Sequence, residues 1–219
     1  MAHEEFDGVS RRSFIQTLGV SAATTTMAAS ARAIVRDSAA RKAAEDAAPA
    51  VLGPGDIDLT LTINGTPSKV KVEPGTTLLD ALRVHLGKTG SKEVCDRGAC
   101  GACSVIADGK LVASCMMLAA DAEGMKITTV EGLEKSGKLD PVQEAFIRHD
   151  ALQCGYCTPG LLMAARAMLD TLPKPTMDEI KKYLAGNICR CGTYTNVFNA
   201  VLEASGQAVP QDGAAGGAR

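Results

Sequence analysis

Eight cysteines stand at positions 95, 100, 103, 115, 154, 157, 189 and 191 of a 219-residue chain. They form two quartets. Cys95, Cys100 and Cys103 are separated by four and then two residues, and Cys115 follows after eleven more. The second quartet pairs Cys154-x2-Cys157 with Cys189-x-Cys191. Thiolates grouped in this way bind metal, and four of them are what one [2Fe–2S] cluster takes. Such a cluster with its thiolates is an anion, so the surrounding chain must offer backbone N–H groups at short range. Gly98 and Gly101 allow that close approach and the positive φ angles of a wrapped loop.

The spacing of the first three cysteines matches the plant-type ferredoxin pattern for a [2Fe–2S] cluster. Three other readings of the thiols stay open. An even cysteine count in an exported protein suggests disulfides, although Cys189 and Cys191 are tied too closely to bond to each other. A four-cysteine zinc site suits the second quartet viewed alone and fits the first poorly. Unliganded core cysteines are the third, against which stands their clustering in Gly-rich loops.

Two kinds of scaffold carry the quartets. Ile57, Leu59, Leu61 and Ile63 alternate as a half-buried strand does, and Asn64-Gly65 supplies a turn to a second strand through Val70 and Val72. Leu78, Leu79, Leu82 and Leu86 recur at helical spacing. Strands are expected at Ser104–Ala107, at Lys110–Ser114 after an Asp108-Gly109 turn, and at Lys126–Val130. Cys115 then comes from the return strand. The second half reads as helical. Asp140-Pro141-Val142-Gln143 and Thr176-Met177-Asp178-Glu179 are capping boxes. Further helices are expected over Thr158–Leu172 and from about Tyr194 to Ser205, with Gly186 as a helix stop. The fold class is α+β: a plant-type ferredoxin-like (β-grasp) domain over 57–131, then a four-helix-bundle [2Fe–2S]-binding domain over 132–205.

Outside those domains, Ser10-Arg11-Arg12-Ser13-Phe14-Ile15 precedes an uncharged Ala/Thr-rich stretch that ends in small residues near Ala29–Ala33. A paired arginine before a weakly apolar segment resembles the twin-arginine export signal. Residues 1–31 are read as that signal, 32–56 as a linker and 206–219 as a Gly/Ala-rich tail. Cleavage after Ala31 leaves 21 basic and 22 acidic residues, from 23 and 25 in the full chain. This near-neutral balance, with seven aromatics and no Trp, provides neither the basic footprint nor the stacking surface of a nucleic-acid binder. No run of 18 apolar residues marks a membrane span.

Three stretches carry a specific resemblance: residues 95–103 (Cys-Asp-Arg-Gly-Ala-Cys-Gly-Ala-Cys), 153–160 (Gln-Cys-Gly-Tyr-Cys-Thr-Pro-Gly) and 186–192 (Gly-Asn-Ile-Cys-Arg-Cys-Gly). Over about 57–204 the chain resembles the iron–sulfur subunit of the xanthine oxidase/aldehyde oxidoreductase family of molybdenum hydroxylases. With its export signal it is most similar to the periplasmic aldehyde oxidoreductase branch. The resemblance implies two [2Fe–2S] clusters in an electron-transfer subunit without a substrate site or catalytic residue of its own. It places Cys154, Cys157, Cys189 and Cys191 on the cluster near a molybdenum–pterin centre in a large partner subunit. Cys95, Cys100, Cys103 and Cys115 then hold the distal cluster, which passes electrons to FAD in a medium subunit or to another acceptor.

By the same resemblance Gln153 contacts the pterin; otherwise it is an ordinary polar residue before a ligand. Val94 departs from the family, where Gly is common before the first ligand. Tyr156 and Tyr194 flank the second quartet and could screen it from water. His85 and His149 read as partly exposed helical residues, and Met116-Met117 as strand packing. The expected reaction is oxidation of aldehydes to carboxylates, with purine or N-heterocycle hydroxylation as the alternative within the family. A free-standing ferredoxin-type carrier is the alternative outside it, although a simple ferredoxin would need only residues 57–131.

Overall fold

A computed structural model describes residues 52–210. The expected signal, most of the linker and most of the tail lie outside the described residues.

The first half is a five-stranded mixed sheet in the order β2-β1-β5-β3-β4. Its strands are β1 (Ile57–Ile63), β2 (Thr66–Val72), β3 (Ser104–Ala107), β4 (Lys110–Ala113) and β5 (Lys126–Thr128). β1 pairs antiparallel with β2 and parallel with β5, while β3 pairs antiparallel with both β4 and β5. Asn64-Gly65 and Asp108-Gly109, all at positive φ, close the two hairpins. The alternation read from β1 is real: Leu59, Leu61 and Ile63 are buried with Val70, Val72 and Ile127 in one core.

Helix α1 (Leu78–Asp80) begins where the Asp80 N–H donates to Thr77 Oγ1 at 3.1 Å, and continues as a wider π turn over Ala81–His85. Leu78 and Leu82 face the sheet. Leu79 points elsewhere and packs on Cys103 and Cys115.

Four helices follow: α2 (Pro141–Arg148), α3 (Thr158–Thr171), α4 (Met177–Leu184) and α5 (Tyr194–Ala204). Both capping boxes form. Asp140 Oδ1 accepts from the Val142 N–H at 2.9 Å while Gln143 Oε1 accepts from the Asp140 N–H at 2.9 Å. Thr176 and Glu179 make the equivalent exchange. Phe146, Leu161, Met163, Met168, Ile180 and Leu184 are the large side chains of the shared core.

β3 joins the halves. All four of its residues are buried, because Val105 and Ala107 enter the sheet core while Ile106 enters the helical core under α3.

Two local expectations are corrected. β4 stops at Ala113, so Cys115 sits in a 3₁₀ turn over Ser114–Met116 rather than on the strand. The reason is Ser114, whose hydroxyl donates to the Cys103 carbonyl at 2.7 Å and draws the chain out of the ladder. β5 ends at Thr128, since Val130–Gly132 forms another 3₁₀ turn. The stop expected at Gly186 holds: α4 ends at Leu184 with Ala185 as its C-cap, and the end closes with the Asn187 N–H on the Leu184 carbonyl at 2.9 Å, without a positive φ at Gly186.

Candidate metal centres

The first three cysteines of the first quartet lie in the loop between α1 and β3, and that loop is anchored at several points. Arg83 donates to the Thr89 carbonyl at 3.0 Å and to the Ser91 carbonyl at 2.8 Å. Glu131 Oε1 accepts from the Gly90 N–H at 2.8 Å, and its other oxygen accepts from the Thr129 hydroxyl at 2.5 Å. Asn64 completes this network by accepting from the Thr129 N–H at 2.8 Å. The loop then turns through Gly98 and Gly101, both at φ of 71°. At Gly98 the backbone N–H donates to Cys115 Sγ at 3.3 Å.

All eight cysteines are free thiols, and their environments differ sharply. The backbone N–H of Arg97, aided by the neighbouring Cys100 thiol, lowers the Cys95 pKa to about 7. Burial raises that of Cys100. Burial also pushes Cys115 up to about 11, with Cys103 as its thiol neighbour. Within the quartet Cys95 neighbours Cys100, Cys103 neighbours Cys115, and Cys95 also lies near enough to act on Cys115.

The second quartet sits at helix ends. Cys157 is the N-cap residue of α3, and Cys189 and Cys191 lie in the turn between α4 and α5. Burial, then the Cys189 thiol, pushes Cys157 up to about 12, and Cys154 is near enough to add to it. For Cys189 burial acts upward, but hydrogen bonds from the Thr193 side chain and backbone outweigh it and bring the pKa to about 7. Cys154 and Cys191 are exposed. Cys191 is tied to the set by its short link to Cys189.

Each quartet supplies four thiols, the number one [2Fe–2S] cluster takes, two to each iron. Further features fit an anionic sulfur-ligated group. Backbone N–H groups are aimed at sulfur, as at Gly98, and the Thr158 hydroxyl beside Cys157 is buried without a partner. The donors also suit iron: they are thiols throughout, with no His among them.

Thr193 occupies the N-cap of α5 yet caps nothing. Its Oγ1 lies 3.2 Å from Cys189 Sγ instead. A threonine cap is worth about 1 kcal/mol when used, so the hydroxyl forgoes its usual partner for a sulfur. The Cys189 N–H donates to the Tyr194 hydroxyl at 2.7 Å. Of the two flanking tyrosines, Tyr194 therefore holds the ligand loop, while Tyr156 is 57% exposed. Val94 and Gln153 are also exposed. His85 is exposed in the π turn, and His149 pairs with Glu203 at 2.5 Å.

The two ligand loops touch. The Ile188 N–H donates to the Cys100 carbonyl at 2.9 Å, and Asn187 Nδ2 donates to the Gly101 carbonyl at 3.0 Å. Asn187, Thr193, Arg83 and Glu131 escaped sequence reasoning. Asn187 and Thr193 lie within two residues of a cysteine, a weak signal; Arg83 and Glu131 act from a distance in sequence.

Comparison with known proteins resolves the family. Residues 61–128 match the 2Fe-2S iron-sulfur cluster binding domain, and residues 129–202 match the [2Fe-2S] binding domain. The aldehyde oxidoreductase iron-sulfur-binding subunit PaoA of Escherichia coli O157:H7 is 40% identical over 221 residues, covering 94% of this chain and 92% of that one. The chain belongs to the iron–sulfur subunits of the xanthine oxidase/aldehyde oxidoreductase family of molybdenum hydroxylases. It is an iron–sulfur subunit of an oxidoreductase complex. Another member, the xanthine dehydrogenase iron-sulfur-binding subunit of the same organism, is 48% identical over 149 residues, 67% of this chain and 93% of that one. Among solved structures, quinoline 2-oxidoreductase from Pseudomonas putida 86 matches with a TM-score of 0.66 at 43% identity, over 71% of this chain and 99% of that chain. The aldehyde oxidoreductase from Desulfovibrio desulfuricans ATCC 27774 matches with a TM-score of 0.65 at 40% identity, over 68% of this chain and 17% of that one. The mixed fold of a small sheet plus several helices is that of the two matched cluster-binding domains.

Proposed function

We propose that this subunit carries two [2Fe–2S] clusters, one on Cys95, Cys100, Cys103 and Cys115 and the other on Cys154, Cys157, Cys189 and Cys191. When bound, the clusters supply one-electron steps between a molybdenum–pterin centre in a large partner subunit and FAD in a medium subunit. The helical half, read as a four-helix bundle over 132–205, faces the pterin side. The ferredoxin-like half over 57–131 faces the acceptor.

The observation that carries this reading is the hydrogen bond from the Ile188 N–H to the Cys100 carbonyl. It joins the residue before one ligand to a ligand of the other quartet, so the two sites share a short covalent and hydrogen-bonded route. Cys154 and Cys191 are exposed, and beside this quartet Tyr156 and Ile188 are 57% and 53% exposed. Apolar groups left in solvent at a redox site suit a partner surface. We assign Gln153 to that surface as the pterin contact, a reading its exposure beside Cys154 supports.

The substrate assignment is oxidation of aldehydes to carboxylates. The match to PaoA spans 94% of the chain, whereas the match to the xanthine dehydrogenase subunit spans 67%. The export reading rests on the sequence alone: Arg11-Arg12 followed by an uncharged Ala/Thr-rich stretch is what twin-arginine export of the folded subunit to the periplasm would use.

The test is an elemental count on the complex purified through this chain from the periplasmic fraction. About four iron per chain with stoichiometric molybdenum, and acceptor reduction by aldehydes but not by xanthine, is the expected result. Zinc in place of iron, or recovery only from the cytoplasm, overturns the cluster or the export reading respectively.

A further inference from the structure

We infer that the Thr193 hydroxyl sets the reduction potential of the helical-half cluster by donating a hydrogen bond to the Cys189 sulfur. The inference rests on the two-cluster reading above and assigns a tuning role within it.

Thr193 is 6% exposed, so water does not compete for its hydroxyl. Its Oγ1 is 3.2 Å from Cys189 Sγ, and the side chain makes no bond to the α5 backbone it precedes. In the free thiol either atom could donate. Once the sulfur is a thiolate on iron it has no proton to give, and the hydroxyl is then the donor. The Cys189 N–H is already engaged by the Tyr194 hydroxyl. Among the described residues, no other side-chain hydroxyl hydrogen bonds to a cysteine sulfur; the bond to Cys115 comes from the Gly98 backbone.

The chemistry fixes the direction. One electron taken up by a [2Fe–2S] cluster adds one negative charge, spread over iron and sulfur. A hydrogen bond to a ligand sulfur is stronger in the reduced form and therefore raises the potential. The hydroxyl makes the helical-half cluster the readier acceptor of an electron. Among the described residues no side-chain hydroxyl donates to the ferredoxin-like quartet, so the effect is confined to one of the two centres.

The experiment is an EPR-monitored potentiometric titration of the whole complex carrying Thr193→Val, Thr193→Ala or Thr193→Ser. Val and Ala should lower one midpoint potential by the equivalent of about a tenfold change in electron affinity, about 59 mV for a one-electron couple. Ser should keep the original value, and the second cluster should not move in any variant. Equal shifts in Ser and Val, no shift in Val and Ala, or matching shifts in both clusters overturn the inference. If neither Val nor Ala assembles, pulsed EPR of the unsubstituted complex in heavy water decides. A hydroxyl deuteron coupled to the reduced helical-half cluster, lacking the nitrogen coupling of an amide, supports the role, and its absence ends it. Failure of the underlying reading is seen earlier, as fewer than two [2Fe–2S] signals before any substitution.

Discussion

Gly160, in the first turn of α3, meets the Gly101 carbonyl so closely that a Cβ added there would lie 2.1 Å from its oxygen. This is backbone against backbone, between the helix that starts at Cys157 and the loop that holds Cys100 and Cys103. The contact sets how near the two ligand sets come.

Gly160→Ala should therefore separate them. Neither backbone can yield without moving a ligand loop, and overpacking of this kind costs about 1–3 kcal/mol. The expected outcome is a lower melting temperature and incomplete iron loading. A full iron complement with unchanged melting would show that the contact is slack.

Asn187 also holds this carbonyl, donating to it at 3.0 Å, and it is 5% exposed. Asn187→Ala should cost about 1 kcal/mol and slow electron exchange between the clusters, read as slower reduction of the second EPR signal after rapid mixing with substrate. Equal rates in the variant and the unsubstituted protein would remove Asn187 from the coupling.

Much of this arrangement was legible in the chain. Cap chemistry is local, so the boxes at Asp140 and Thr176 form as their residue types demand. The hairpin turns and the β1 alternation are equally local. What escaped is long-range. Ile106 looks like part of a short apolar strand, and nothing nearby says that its side chain enters the core of the other half. Cys115 leaves its strand because Ser114 reaches a carbonyl eleven residues back, a partner no periodicity reveals. Thr193 stands where a helix cap belongs, and only the fold shows its hydroxyl on sulfur. The cysteine types and spacing named the chemistry; the contacts that tune it depend on tertiary packing.

Glu131 links cluster-loop stability to pH. Burial alone would raise its carboxyl, but the Thr129 hydroxyl and the Gly90 N–H outweigh it and hold the pKa below the ordinary glutamate value. A lowered folded-state pKa means that the ionised form stabilises the fold above the unfolded value. That contribution is lost as the pH falls through the lower, folded value. Glu131→Gln should cost under about 1 kcal/mol at neutral pH, since the group is partly solvated. It should cost less once the pH is below the carboxylate range. Melting temperatures of the two proteins should converge in acid; a gap that stays constant from pH 7 to pH 3 would assign the effect to shape rather than charge.

Cys103 offers the cleanest separation of the two centres. It is 3% exposed and packs with Cys115 under Leu79, away from every thiol of the second quartet in sequence. Replacing it with alanine removes one thiolate and leaves a small apolar side chain in an apolar place, so the sheet should stay folded. Cys103→Ala should then lose about two of the expected four irons per chain, and one of the two EPR signals. The surviving signal should still be reduced on adding substrate to the complex, because the Cys154, Cys157, Cys189 and Cys191 set is intact. Reduction of the external acceptor should fall to background. Steady-state acceptor reduction at the unsubstituted rate, with the iron count halved, would mean that electrons leave without the ferredoxin-like quartet, and the order of the two sites would have to be reversed or abandoned.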